Sequence, residues 1–561
     1  FVNLMNKKYF FIILSICLFS SNIIAQDKTS NQALKDIVKV NGSLGATSTL
    51  YQAYGIEARR DPFYYMFNAS LNLNIFGISV PFSATYSQQN KSYTQPFNQY
   101  GLSPKYKSVT AHIGYRNMQL TDFSFSSTTF YGLGVEVSPE NSLIKGAAFY
   151  GRLLKATPSV INGIPNPIGF SNPIFARKGF GGKVDIGTSK NAVTLAFFKA
   201  SDDITSLLND STTAFVKPAE NAVIGISTIQ KLGKKIDCKG EIDYSAYNRN
   251  TRISEGQYPG FNYLNNMEPI FSANSATQFN RAIKASLNYK VKLYKIGLKY
   301  RRIDPDYQSM GAVYINNDFE DITANTTIKL LKSKLNFGGS GGLQRNNLLS
   351  DRAVSVIRLI GSLNANYNPN DHWAFSGAYS NFNSSSTQTL ITGLDTVLFA
   401  QITKNANANV SFNNNNREKK LTIFCAGNYQ IARVAKDSTV FYNVNLGAQY
   451  VITRLKAGIT ASMNLNQNIA ALNNSAAYGP SIVFTKGIRK NIKINASFSY
   501  LTSLLEQEKS GQFINTRINV SYRYKKHHSL SSSISFIDKS LIVDDINSNE
   551  FIGMINYNYS F

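Results

Sequence analysis

One tryptophan, four histidines, three cysteines and fifteen prolines in 561 residues leave little material for catalysis, metal binding or disulfide bracing. The histidines are His112, His372, His527 and His528, and the last two sit in a basic turn as solvated residues. No zinc-ligand spacing and no phosphate-loop motif occurs. The run G-G-S-G-G at 338–342 lies inside an alternating pattern, where glycine marks a bend or a close approach rather than a phosphate cradle. The expectation is therefore no catalytic residue, no cofactor and no metal. Long apolar runs are missing as well: beyond the first 25 residues no stretch reaches the length of a membrane-spanning helix, and mean hydropathy is −0.19.

Of the cysteines, Cys17 falls in an N-terminal leader, where Ile16 occupies the place a lipobox reserves for a small residue. Cys238 shares a strand face with Ile236, Ile242 and Tyr244, and Cys425 shares one with Leu421, Ile423 and Tyr429. Both point outward from distant strands, so no disulfide is expected even in an oxidising compartment.

What is present is one texture, rich in Tyr (32) and Phe (36), running from about residue 38 to the end without a linker. Ahead of it, Met5-Asn-Lys-Lys, an apolar core Tyr9 to Leu18 and S-N-I-I-A-Q read as a signal peptide, residues 1–25, cleaved after Ala25. Met5 is its natural-looking start, and residues 26–37 form a short polar N-terminus. From Val38 onward the chain alternates apolar and polar residues in runs of about 10–14, the length a tilted strand needs to cross a bilayer. In R-I-N-V-S-Y-R-Y, Ile518, Val520, Tyr522 and Tyr524 alternate with Arg517, Asn519, Ser521 and Arg523. Short basic connections (231–235, 290–295, 330–334, 453–456, 486–491, 524–528) alternate with longer polar ones near 155–174, 203–219, 249–275, 304–316, 385–396 and 541–548. Short turns at one end and long loops at the other are the habit of outer-membrane barrels.

The last nine residues, G-M-I-N-Y-N-Y-S-F, sharpen this. Ile555, Tyr557, Tyr559 and Phe561 share one face and Asn556, Asn558 and Ser560 the other. With Gly553, Tyr557, Tyr559 and Phe561, the stretch resembles the terminal assembly signal of bacterial outer-membrane β-barrels. The resemblance implies recognition by the barrel-assembly machinery and residence in the outer membrane of a Gram-negative cell. The Asn/Lys/Tyr-rich texture is similar to that of large, porin-like barrels of Bacteroidota-type envelopes.

The expected fold is all-β: one antiparallel transmembrane barrel over residues 38–561, with 24–26 strands and 26 favoured. The stretch 104–138 hides an extra short strand in this count. A circular barrel of 26 strands would be roughly 50 Å across, too wide for side chains to fill. Residues 26–37 are too short for a plug domain of the kind carried by TonB-dependent transporters. The lumen must then be flattened, filled by inward-folded loops such as 155–174 and 249–275, or occupied by a partner.

The formal net charge is +25. No basic run with interleaved aromatics lies on a helix or loop, so nucleic acid is excluded as a partner. Outer-membrane lipid, lipopolysaccharide phosphates and anionic polymers are the expected counterparts. Alternation assigns Arg177, Lys183, Asp185, Glu241, Asp243, Lys284, Lys299, Arg301, Arg358, Lys493, Arg517 and Arg523 to the lumen. These charges fit a passive channel or export conduit with a basic lumen for anionic or polar solutes or polymer. They equally fit a non-transporting scaffold barrel, braced by ion pairs, in an envelope secretion, adhesion or assembly complex with a protein partner.

Overall fold

A computed structural model describes residues 38–561 apart from 89–97, 127, 162–163, 166–172, 208–215, 254–270, 272, 351–353, 389–396, 435–436, 472 and 543–545. The leader and N-terminal segment expected at 1–37 lie outside the described residues. One antiparallel sheet runs through the chain and closes on itself, because Val38–Tyr54 pairs with both Phe63–Ile75 and the last strand, Ile546–Ser560. At the seam, Gly42 and Phe561 exchange backbone hydrogen bonds of 3.0 Å in both directions. Closure is what lipid demands, since an open edge would leave a row of unsatisfied amides in hydrocarbon.

The closed sheet has 26 strands once Gln99–Leu102 and Lys105–Tyr106 are taken as one strand, both lying between Ile78–Ser87 and Val109–Asn117. The break falls at Ser103-Pro104. Pro104 has no N–H to give the ladder, while its carbonyl still accepts from Ala111 at 2.9 Å. Several strands exceed the expected length: Val397–Asn415 has 19 residues and Glu508–Tyr524 has 17.

Alternation along each strand sorts residues between lipid and lumen. Ile459, Phe484, Ala496, Ile518, Ile534, Gly553 and Leu50 form one row across seven neighbouring strands. The large side chains of that row stand exposed on the outside, Ile534 at 49% and Leu50 at 52%, as an apolar band facing hydrocarbon should. Cys238 and Cys425 are free thiols, the second next to Leu446 of this outer face. At the turn end aromatic rings collect: Trp373 lies 5.0 Å from Phe412 and Tyr559 lies 5.4 Å from Phe561, centroid to centroid. Such girdles mark the bilayer interface. Phe76 (φ 50°) and Gly77 (φ 80°) make a two-residue hairpin at the same end, the positive φ values that match the twist of paired strands.

All six short basic connections lie at one end of the barrel and the longer ones at the other, as the alternating strand order requires. The stretch 104–138 holds the short strands that bring the count to 26, but its part 118–128 contains no barrel strand. That part lies between Val109–Asn117 and Thr129–Val137 and turns into the lumen. The loops 155–174 and 249–275, expected to fill the interior, fall largely outside the described residues. Among those described, the segments that fill it are 118–128 and 304–318.

Candidate functional site in the lumen

Packing inside the barrel begins with an apolar patch on the inner wall, where a water-filled channel would have polar residues. Phe149, Leu153, Ala196, Phe198, Ala200 and Val223 turn inward and are buried. Met118, Leu120 and Phe125 of the first segment and Met310 of the second cover them. Phe125 is wholly enclosed, its ring 4.3 Å from Phe149 and 5.4 Å from Phe198. Glycine makes the close approach possible: a Cβ on Gly181 would stand 2.7 Å from Leu120 Cδ1, and one on Gly225 would stand 2.2 Å from Asp243 Oδ1. A second cluster of Phe123, Ala282, Ile303, Tyr307 and Phe319 continues the packing.

Polar contacts fix the two segments to each other and to the wall. Ser126 N–H donates to Gly311 O at 3.0 Å, Tyr307 OH to Phe123 O at 3.0 Å, and Ser309 Oγ to Ser124 O at 2.5 Å. From the wall, Asn221 Oδ1 accepts from Met310 N–H at 3.0 Å and Ser245 Oγ donates to Gln308 O at 2.6 Å. Thr121 Oγ1 donates to Asp243 at 2.6 Å, Asp122 N–H donates to Glu241 at 2.7 Å, and Lys284 pairs with the Asp122 carboxylate. Burial pushes the Tyr307 phenol well above its usual 10, with the Asp243 and Glu241 carboxylates acting in the same direction.

Register then assembles a charged row. Glu241, Lys284, Arg301, Asp321, Gln344 and Arg358 are successive cross-strand partners on the lumen face. Arg301 donates to Asp321 at 2.7 and 3.0 Å, and Arg358 donates to Gln344 Oε1 at 3.0 Å. Four of these six were assigned to the lumen from sequence. Asp321 and Gln344 were not singled out, and neither was Asp122, which arrives from the folded-in segment. With those carboxylates counted, this side of the lumen is close to charge-balanced rather than basic. Arg177 shares its stretch of wall with Asp202, which it meets at 2.8 Å. Asp185 accepts from Thr194 at 2.5 Å, Lys183 stands opposite Ala147 and Ala196, and Lys299 stands opposite Ser286 and Thr323.

The opposite wall is built differently. Asn407, Asn428, Asn443 and Asn466 form a cross-strand row on its inner face. Asn443 donates to Asn466 at 2.5 Å and Asn445 to Asn464 at 2.6 Å. Lys493, Arg517 and Arg523 rise from this wall opposite Ser521, Ser497 and Ser529. Among the described residues, no carboxylate lies within ion-pair distance of these three cations. The inner space is therefore packed and charge-balanced on one side, amide-rich and positively charged on the other.

His527 and His528 are more than solvated turn residues. His527 Nδ1 lies 2.7 Å from Ser560 O, and His528 Nδ1 lies 2.8 Å from Tyr557 OH. They tether the terminal strand, on which Gly553, Tyr557, Tyr559 and Phe561 face outward with the apolar band. Among the described residues, no group of three or more His, Cys, Asp or Glu side chains is placed to hold a metal ion.

No protein-family model matches the sequence, and no curated protein does. Solved structures similar in outline include OccK8 (OprE) of Pseudomonas aeruginosa, at 11% identity and TM-score 0.32, covering 62% of this chain and 94% of that one. The ferric yersiniabactin uptake receptor FyuA of Yersinia pestis matches at 10% identity and TM-score 0.39, over 93% of this chain and 80% of that one. OpdQ of Pseudomonas aeruginosa matches at 10% identity and TM-score 0.31, over 74% and 98%. Likenesses this distant decide nothing about function. The closed sheet, the outward apolar band, the aromatic girdle and the turn-and-loop asymmetry themselves make the chain an outer-membrane β-barrel.

Proposed function

We propose that the protein is a passive outer-membrane channel or export conduit, passing anionic or polar solutes along the amide-rich wall. The observation that carries this reading is the division of the lumen. On one side the segments 118–128 and 304–318 fill the space with buried apolar residues. On the other, Lys493, Arg517 and Arg523 stand among Ser and Asn without carboxylate partners among the described residues. Unpaired cations beside a wet polar wall raise the local concentration of anions, and neutral amides let them leave again. In this reading the short turns face the periplasm, and outer-leaflet lipid with its lipopolysaccharide phosphates surrounds the loop end.

Single-channel conductance of the purified barrel in a planar bilayer, with selectivity from the reversal potential, tests the proposal. A steady anion-selective conductance is expected, and Arg517→Gln with Arg523→Gln should move the reversal potential toward zero without abolishing current. Silence in verified insertions would overturn the channel reading and leave the scaffold barrel in its place.

A further inference from the structure

The inner wall near the turn end carries a concavity of about 580 Å³ that none of the lumen packing uses. Five cations line it: Lys456, Arg489, Lys490, Lys493 and Arg523. The hydroxyls of Thr485, Ser521, Ser529 and Ser531 line it too, and no carboxylate does. A β-bulge between Gly487 and Arg489 breaks the ladder there, and such bulges at a barrel rim re-aim side chains. Gly487 N–H donates to Lys456 O at 2.8 Å, which binds the 453–456 turn to the bulged strand. None of the five cations forms an ion pair with a described residue, although ten other Lys and Arg among the described residues do. The excess extends along the rim: residues 417–420, 454–456, 486–493 and 523–526 hold twelve Lys and Arg against the single Glu418.

We propose that this concavity is a binding site for a phosphate-dense anion, a chain of two or more linked phosphate groups. Uncompensated cations held this close repel one another, so a ligand carrying several charges in a small volume gains most by entering. The hydroxyls supply neutral donors between the cations, and arginine matches phosphate oxygens in a bidentate way. The inference rests on the channel reading only in placing the site along the conducted path, and binding can be read without conduction.

The test is calorimetric titration of the detergent-purified full barrel with inorganic tripolyphosphate, long-chain polyphosphate, orthophosphate and citrate. Tripolyphosphate should bind at least about tenfold more tightly than citrate, and affinity should fall steeply with added salt. Polyphosphate binding per chain tighter than tripolyphosphate would identify a polymer as the source; equal affinity would identify a small solute. Lys490→Gln with Arg523→Gln should weaken tripolyphosphate by roughly 10–100-fold, the loss of two charge-assisted contacts, while Lys183→Gln on the far side of the lumen should leave it unchanged. Citrate bound as tightly as tripolyphosphate, or no loss in the double variant, would overturn the proposal. Binding without conductance would refute the channel and leave the site standing; conductance without binding would do the reverse.

Discussion

Removing the Phe125 ring should release the folded-in segment while leaving the barrel closed. Phe125 has no solvent exposure and packs, tilted, against Phe149 and Phe198. Phe→Ala at such a site costs about 3–5 kcal/mol. None of that cost falls on the strand ladder, because Phe125 belongs to no barrel strand and forms one isolated bridge, to Gly311. The whole loss falls on the docked state of 118–128, which shifts the docked-to-free ratio by roughly two to three and a half powers of ten. Gly225→Leu attacks the same segment from the wall at Thr121, since even its Cβ would stand 2.2 Å from Asp243 Oδ1 and 3.0 Å from Thr121 Cγ2. Phe125→Leu keeps much of the volume and should behave between the wild type and Phe125→Ala. The assay is planar-bilayer conductance of each variant, after gels confirm that the barrel remains folded. Both Phe125→Ala and Gly225→Leu should conduct more, with noisier open states. Unchanged conductance in both, in folded barrels, would refute the idea that this segment narrows the lumen.

Two further outcomes follow from single contacts. The Tyr307 phenol, raised by burial, donates to Phe123 O; its neutral form is the docked one, so docking is insensitive to pH below the ordinary tyrosine value of about 10 and weakens as pH climbs toward the raised value. Conductance should therefore be flat through neutral pH and rise only in strong alkali, and Tyr307→Phe should abolish that alkaline rise at a cost of about 1 kcal/mol; an alkaline rise of equal size in Tyr307→Phe would exclude the phenol as its source. His528→Ala loses the contact with Tyr557 OH and the ring neighbour Tyr559 at 4.7 Å, and should lower the temperature at which the folded band converts to the unfolded one in detergent gels, by an amount matching about 1–2 kcal/mol. An unaltered conversion temperature would mean that the backbone ladder alone holds the terminal strand.

Strand parity was legible in the sequence because it is a local property: a single strand such as 517–524 announces which residues share a face. Height along the barrel was not, because it depends on register between strands, and one residue of slip changes every partner. Alternation placed Glu241, Lys284, Arg301 and Arg358 on the inner wall. Nothing in any one strand announced that Asp321 would stand next to Arg301 in the same row. The basic lumen inferred from sequence weakened for this reason, since carboxylates brought in by register and by the 118–128 segment neutralise one side.

The alternation at 121–125, which lies in no barrel strand, has a different cause, and it points to a usable signal. D-F-S-F-S alternates because Phe123 and Phe125 do face a wall, but that wall is the inside of the barrel rather than lipid. Period two reports a segment lying flat against a sheet, whichever side of the sheet it lies on. What separates the two cases is the partner surface. A strand facing water inside a wide barrel has no reason to turn Phe149, Leu153, Phe198 and Val223 inward, or to keep glycine at Gly181 and Gly225 between them. Apolar residues and glycines on the lumen face of adjacent strands therefore mark the footprint of a folded-in segment before its identity is known. By the same logic the described residues from 405 to 535, whose inner positions are Asn, Ser, Thr, Gln, Gly and a few cations with scattered apolar exceptions such as Phe424 and Phe441, present no continuous apolar footprint, and it is along that wall that the channel proposed above would run.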